Sequence, residues 1–298
     1  MKTSRESVPL ISLKDFGDSP FLEHGIFVEA FEECVSIRQK RMEMHRHDYV
    51  ELFLLEGRGS VLIDFGRCPL SRRSLVAIGQ GRVHAWQANR MTGLYISFTQ
   101  EFFDGAAPPP SALFDYPFLF AGELSSVIHL QPKQGTQAQR LFRDIHCEFE
   151  KHEKLAVEMI RHQLRVLMVH LSRLYAATSP APFAAVGLVR RFRQAVERSF
   201  RAMKSVPDYA RDLGVTTSHL NESLRLETGL TAKDLIRERL LLEAKRLLLH
   251  SELTMAEIGY ELGFDDPSYF SRFIRRGLQT SPAEFRTLIR QKYRKFLR

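Results

Sequence analysis

The stretch Glu261-Leu-Gly-Phe-Asp-Asp-Pro-Ser-Tyr-Phe-Ser-Arg-Phe-Ile-Arg-Arg276 decides how this chain is read. Gly263 breaks one short helix, a side-chain oxygen of Asp265 or Asp266 caps the next, and Pro267 suits a first helical turn whose N–H would be unpaired anyway. That is a helix-turn-helix. In its second helix Phe270, Phe273 and Ile274 fall at helical spacing and face a core. Ser268, Tyr269, Ser271, Arg272, Arg275 and Arg276 are left outside, a face of hydroxyls and guanidiniums suited to phosphates and base edges. An amphipathic helix with a solvated basic face has the same pattern, so the segment gains meaning only from its surroundings.

About 50 residues upstream the plan repeats. The short helix Pro207-Asp-Tyr-Ala-Arg-Asp-Leu213 meets a break at Leu213-Gly-Val215, and a second helix follows over Thr217 to Glu227. Leu220 and Leu224 take the places of Phe270 and Ile274, leaving Thr217, Ser218, His219, Asn221, Glu222 and Arg225 outside. Between the units, Thr231 to Leu249 contains no helix breaker. At ~1.5 Å per residue such a helix spans roughly 25 to 30 Å. With the widths of the flanking units added, two recognition helices on one face fit successive major grooves about 34 Å apart.

Charge points the same way. Of 43 basic and 35 acidic residues, residues 1–183 hold 21 of each, and residues 184–298 hold the remaining 22 and 14, so the whole net charge of +8 lies in the second part. A neutral half joined to a basic half implies that only the basic half meets a polyanion, nucleic acid first. A membrane surface is the weaker partner, because no strongly basic amphipathic helix stands apart from the core pattern. No run approaches the ~18 apolar residues that span a bilayer, and Met1 to Pro20 lacks a signal-peptide core, so a cytoplasmic location is expected. Cys34, Cys68 and Cys147 are odd in number and scattered, which fits a reducing compartment and small buried hydrophobes.

Residues 1–22 carry little periodicity and read as an arm. From there short strands alternate with glycine turns: Gly25 to Phe31, Tyr49 to Leu55, Ser60 to Phe65, Leu75 to Ile78 and Leu94 to Phe98. This pattern predicts a barrel or sandwich. Pro108 to Pro110 close the strand-rich part. Helices take over at 137–153, with Leu141, Ile145 and Phe149 on one face, and at 154–176, where Ile160, Leu164, Leu167, Leu171 and Leu174 step by four and three. That spacing is a coiled-coil seam, read here as the dimerisation surface, with packing within the chain as the alternative. Thr178 to Pro182 reads as linker. The expected organisation is α+β: an arm (1–22), a β domain (23–135), a helical dimerisation and coupling region (136–177), a linker (178–185) and an all-α domain (186–298).

The second half resembles the AraC/XylS family of bacterial transcriptional regulators. The residues that carry the likeness are Tyr209-Ala-Arg-Asp-Leu-Gly-Val-Thr-Thr-Ser-His-Leu220, Glu227-Thr-Gly-Leu-Thr231, Arg239, Ala244-Lys-Arg-Leu-Leu248 and Ile258 through Phe285, closing on Ser281-Pro-Ala-Glu-Phe-Arg286. Gln279 departs from the pattern by standing where glycine is common, with Gly277 two residues earlier. The first half is similar to the cupin-like effector domains of that family, on His45-Arg-His-Asp-Tyr-Val-Glu51, the turn at Gly57 to Gly59, and Gly79-Gln-Gly-Arg-Val-His84. Arg73-Ser74 replaces a common Gly-Asp. The resemblance implies a cupin-like barrel, a regulator that activates transcription in place of an enzyme, a homodimer, and as partners double-stranded promoter DNA, a small-molecule effector and RNA polymerase. A metal-dependent cupin enzyme with a DNA-binding tail is the rival reading.

His45, His47, Glu51 and His84 have the side-chain chemistry and spacing of a metal site, but are read first as effector contacts or structural groups, and no cofactor is expected. Trp86 joins them as an effector contact, with Val50, Leu52, Leu54 and Leu62 lining the same interior. Arg67, Arg72, Arg73 and Arg82 are candidates for an anionic effector.

Overall fold

The strand-forming runs between Gly25 and Phe98 pair into two antiparallel sheets. The computed structural model describes residues 8–16, 19–33, 43–87, 91–105, 112–119, 126–178 and 187–296. The chain divides into two units, Pro9–Pro180 and Ala181–Lys295. Cys34, Pro108 to Pro110 and most of the expected linker at 178–185 lie outside the described residues. No helix among the described residues is long and apolar enough to cross a membrane.

In the first unit the strands are β1 (Leu10–Ile11), β2 (Ile26–Ala30), β3 (Arg46–His47), β4 (Val50–Glu56), β5 (Gly59–Ile63), β6 (Gly66–Leu70), β7 (Arg73–Ile78), β8 (His84–Gln87), β9 (Thr92–Phe98) and β10 (Val127–His129). One sheet runs β10-β7-β4-β9-β2 and the other β6-β5-β8. Strand β4 is central, with Leu52 opposite Ala77 and Ile96. It is buried on both faces, which explains its unbroken apolar run. The Phe53 and Trp86 rings meet at 4.7 Å, so the two sheets face one another across that contact. Because side chains alternate, Glu51 and Phe53 look toward the second sheet while Val50, Leu52 and Leu54 look away from it. The latter three therefore do not line the same interior as Trp86, contrary to expectation. Strand β6 is absent from the sequence reading because Arg67, Cys68 and Pro69 lack a strand signature. It is an edge strand, where proline costs no ladder bond.

The expected arm is built into the unit. Leu10 and Ile11 pair in parallel with Arg46 and His47, and Leu13, Phe16 and Phe21 are buried. Isolated apolar anchors without a period hold it. After the short helix α1 (Gln100–Asp104), helix α2 (Pro132–Lys151) lies against β2, β9 and β4, and α3 (Ala156–Thr178) lies against α2 and β10. The inward face of α2 is Ala138, Phe142, Ile145 and Phe149, and Leu141 sits beside it, half-buried. On α3 the seam residues Ile160, Leu164, Leu167, Leu171 and Leu174 are all buried within the chain, at 0 to 6% exposure. That corrects the dimerisation assignment: side chains already sealed inside one protomer have no surface to give a second. Met159, Val166 and Val169 are the large apolar residues of α3 left exposed. Cys68 is buried as expected, whereas Cys147 is exposed.

The second unit consists of α4 (Leu188–Ser199), α5 (Val206–Asp212), α6 (Thr217–Thr228), α7 (Ala232–His250), α8 (Met255–Glu261), α9 (Pro267–Leu278) and α10 (Pro282–Phe296). One core runs through all the helices up to α9, including Phe192, Tyr209, Leu220, Leu224, Ile236, Leu248, Ile258, Phe270 and Ile274. Thr231 and Asp234 form a capping box at the start of α7. At its other end Arg286 and Arg290 of α10 donate to the carbonyls of Leu248, Leu249, Ser251 and Leu253, satisfying a helix end that has no internal partners. Midway along α7, Glu243 gathers Arg239, Arg201 and Arg246, and Arg201 also reaches Glu261 of α8. Arg239 in turn holds Glu197 of α4 and stacks over the Phe200 ring at 4.0 Å. The connector is therefore fastened to α4 and, through Arg201, to α8 of the second helix-turn-helix.

Gln279 takes the left-handed position that ends α9, at φ 57°, as Gly229 does at the end of α6 at φ 74°. Gly277 serves a different need: a Cβ there would meet the Leu241 side chain at 2.6 Å, so α9 and α7 approach through it. The helix end is not shifted by the departure from glycine.

Candidate functional site

The two helix-turn-helices share their local construction. Ser205 and Thr254 cap α5 and α8 by accepting from the amides of Asp208 and Glu257. The turns pass through Gly214 at φ 68° and Gly263 at φ 71°, a region glycine enters without strain. Beyond each glycine the chain returns with the same bond, Val215 N–H to the Ala210 carbonyl at 2.9 Å and Phe264 N–H to the Gly259 carbonyl at 2.8 Å. Thr216 and Asp266 then cap α6 and α9; Asp266, not Asp265, makes the cap, accepting from the Ser268 amide at 2.8 Å.

The same register turns the same positions outward. On α6, Ser218, His219, Glu222 and Arg225 are exposed and Thr217 is half-buried; on α9, Ser268, Tyr269, Arg272, Arg275 and Arg276 are exposed. Two residues placed outside from sequence are drawn into the fold. The Asn221 amide donates to the Thr217 carbonyl and its oxygen accepts from the Ala232 amide, both at 3.0 Å, so it joins α6 to the first turn of α7. Ser271 is half-buried and donates to the Pro267 carbonyl at 2.9 Å. The faces differ in charge. Three arginines stand on α9, with the Arg272 guanidinium 3.9 Å from the Asp266 carboxylate and 6.0 Å from the Tyr269 ring centre, whereas α6 sets one arginine against Glu222. Phosphate attraction therefore favours α9.

In the first unit, strands β3, β4 and β8 bring His45, His47, Glu51 and His84 together, and all four are buried. His45 and His84 exchange backbone hydrogen bonds at 3.0 and 2.9 Å, which fixes their register and sets the rings 4.1 Å apart. The Nδ1 atoms of His45 and His47 lie 2.9 and 2.7 Å from the carbonyls of Glu43 and Tyr49. A carbonyl only accepts, so each Nδ1 carries the proton and each Nε2 is turned inward. His47 Nε2 lies 3.0 Å and His84 Nε2 3.4 Å from Glu51 Oε2. Burial, then the neighbouring imidazoles of His45 and His47, hold His84 well below the usual histidine range, against a smaller opposing pull from the Arg82 backbone. The orienting carbonyls of Glu43 and Tyr49 are backbone groups and leave no signal in the sequence.

Trp86 is buried beside this cluster, its ring in edge contact with Phe31, Phe53 and His84. The arginines are mostly committed elsewhere. Arg82 is buried against Asp64 at 2.8 Å and donates to Ser126; Arg73 pairs with Glu56; Arg67 donates to Ser60 and Gln87. They tie strands of the first unit together, so Arg73 and Arg82, read from the sequence as candidates for an anionic effector, are paired within the fold.

Residues 209–287 match the family model described as a helix-turn-helix domain. The chain is similar to the HTH-type transcriptional activator RhaR of Escherichia coli O139:H28, at 24% identity over 83% of this chain and 88% of that protein. Among solved structures, the C-terminal domain of AraT, a response regulator from Geobacillus stearothermophilus, is 27% identical and covers 35% of this chain and 88% of its own, with a TM-score of 0.34. ToxT from Vibrio cholerae, with an unsaturated fatty acid bound, covers 88% of this chain and 95% of its own at 11% identity and a TM-score of 0.40. With two capped helix-turn-helices on one core, residues 209–287 form an AraC-type DNA-binding domain, and the chain is similar over most of its length to a curated transcriptional regulator of that type.

Proposed function

We propose that the protein activates transcription by setting α6 and α9 into promoter DNA under the control of a small-molecule effector held in a cupin-like N-terminal domain. The observation that carries the DNA-binding part is the pair of identical turns on one core, which present two polar helix faces in the same way. Activation follows the similarity to RhaR, a named activator. The protein acts in the cytoplasm as a homodimer that engages RNA polymerase. A second copy meets the open stripe Met159, Val166 and Val169 of α3, because the seam is consumed within the chain. Effector binding shifts the population between arrangements that differ in DNA affinity.

The enzyme reading is disfavoured by the burial of the histidine cluster. A catalytic metal keeps a position open to substrate, whereas His45, His47, Glu51 and His84 are 0 to 4% exposed. Selection of bound fragments from genomic DNA, with and without extract of the source cells, tests the proposal. A shared sequence recovered at physiological salt, and enriched or depleted by extract, is expected; recovery of no preferred sequence would sink it.

A further inference from the structure

The two helix-turn-helices are joined twice, once along α7 and once directly. Residues 200–204, between α4 and α5, lie against the turn that links α8 to α9. Resting on the DNA-binding reading, we propose that this direct joint, with Arg201 and Lys204 as its positioning residues, sets the one spacing at which α6 and α9 read DNA.

On its own side the segment is tied down. Tyr209 of α5 is buried and donates its hydroxyl to the Met203 carbonyl at 3.0 Å, and Ser205 caps the same helix. The segment therefore moves with the first helix-turn-helix. On the other side it meets α7, α8 and the turn beyond α8. The Arg201 guanidinium reaches Glu243 of α7 at 3.1 Å and Glu261 of α8 at 3.4 Å, through different nitrogens. Its carbonyl oxygen comes so near Gly263 that a Cβ there would stand 2.1 Å away. Lys204 donates to that same carbonyl at 2.8 Å and sets its ammonium 5.3 Å from the centre of the Phe264 ring. Burial holds the Lys204 ammonium below the usual lysine range, against a pull from Asp265, so it is partly withdrawn from water at the joint.

Phe264 passes the contact on to α9. Its ring lies 5.2 Å from that of Phe270, 5.3 Å from Phe273 and 5.9 Å from Tyr269, which stands on the outward face. The equivalent turn of the first helix-turn-helix has no such cover, since a Cβ on Gly214 meets nothing within 4 Å. Successive base pairs of a duplex differ by about 3.4 Å along the axis and about 35° around it. A pair of reading helices free to slide would accept several such steps between their two sites; a pair locked by this joint accepts one. Arginine suits the position because its planar fork serves two carboxylates at once, where a lysine is a single point charge. The Arg201 side chain is 48% exposed, so each ion pair is a modest fastening, and the joint loosens when Arg201 and Lys204 are removed together.

Nitroxide labels on Glu222→Cys and Arg276→Cys, with the native cysteines replaced by alanine, report the distance between α6 and α9 by pulsed EPR without DNA. A single narrow distribution is expected, and a broader one when Arg201→Ala and Lys204→Met are added; equal widths overturn the joint. One base pair is then inserted between the two protected blocks of a fragment selected from genomic DNA. The unaltered protein is expected to lose about 10-fold or more in affinity, comparable to one mismatched base pair. Arg201→Ala with Lys204→Met should shrink that loss about three- to fivefold, the worth of a partly exposed pair. Arg198→Ala removes an equally exposed pair to Asp212 within the first helix-turn-helix and should leave the loss unchanged. A loss that persists in the joint variant, or shrinks equally in Arg198→Ala, overturns the assignment. A width and a ratio are read, so a uniform drop in stability does not imitate either. Should the unaltered protein select no DNA sequence, the DNA-binding reading fails, and the label widths still judge the joint.

Discussion

At the scale of single residues, two glycines in equivalent turns carry unequal burdens. Gly214 and Gly263 have nearly the same positive φ, 68° and 71°. A Cβ on Gly214 meets nothing within 4 Å, whereas one on Gly263 would stand 2.1 Å from the Arg201 carbonyl oxygen. Gly214→Ala should therefore cost only the left-handed backbone penalty, about 1 to 2 kcal/mol. Gly263→Ala adds a collision with backbone worth a further 1 to 3 kcal/mol or so. Urea unfolding of the two variants measures the difference, and equal losses would show that the Arg201 carbonyl gives way freely. Asn221 teaches the same lesson about neighbours. Its helical position alone marks it as outward, and only the Ala232 amide, eleven residues further along, turns it into a fastening between helices.

At the scale of elements, α7 is stabilised by ion pairs whose strength depends on pH. Burial pushes the Glu243 carboxyl upward, but the guanidiniums of Arg239, Arg246 and Arg201 outweigh it and hold the group below its ordinary range. A carboxyl depressed in the folded state contributes stability that is present above its unfolded value and lost as pH falls through the folded one. Unfolding of the protein should accordingly become easier as pH drops through and below the ordinary carboxylate range. Glu243→Gln should be less stable at neutral pH and flatter in that window; a variant that parallels the wild type in its pH dependence would remove Glu243 as a source. Much at this scale was legible in the sequence. Helix starts at Thr217 and Pro267, the glycine breaks and the buried Leu220, Leu224, Phe270 and Ile274 follow from capping and period. The fate of the 160–174 seam was not, because a four-three spacing is the same whether the facing surface lies in the same chain or another. The stretch Leu10 to His24 was missed because single anchors such as Phe16 and Phe21 have no period to read.

At the scale of the molecule, charge and fold divide the work. The neutral first unit encloses its polar chemistry, with the histidine cluster and the Arg82–Asp64 pair both buried, and the basic second unit displays its own on α6 and α9. Binding should therefore weaken steeply with salt, through the phosphates, while sequence preference resides in a few outward side chains. The most direct measurement is the affinity of the wild type and of the Arg225→Ala and Arg272→Ala variants for a selected genomic fragment and for its scrambled sequence, at one fixed salt concentration. The wild type is expected to prefer the selected fragment. Arg272→Ala should lose roughly 1 to 3 kcal/mol of that preference if it reads a base, with Arg225→Ala losing less, in line with the weaker charge of α6. Equal affinity of the wild type for both fragments, or variants indistinguishable from it, would contradict recognition of DNA through these two helices.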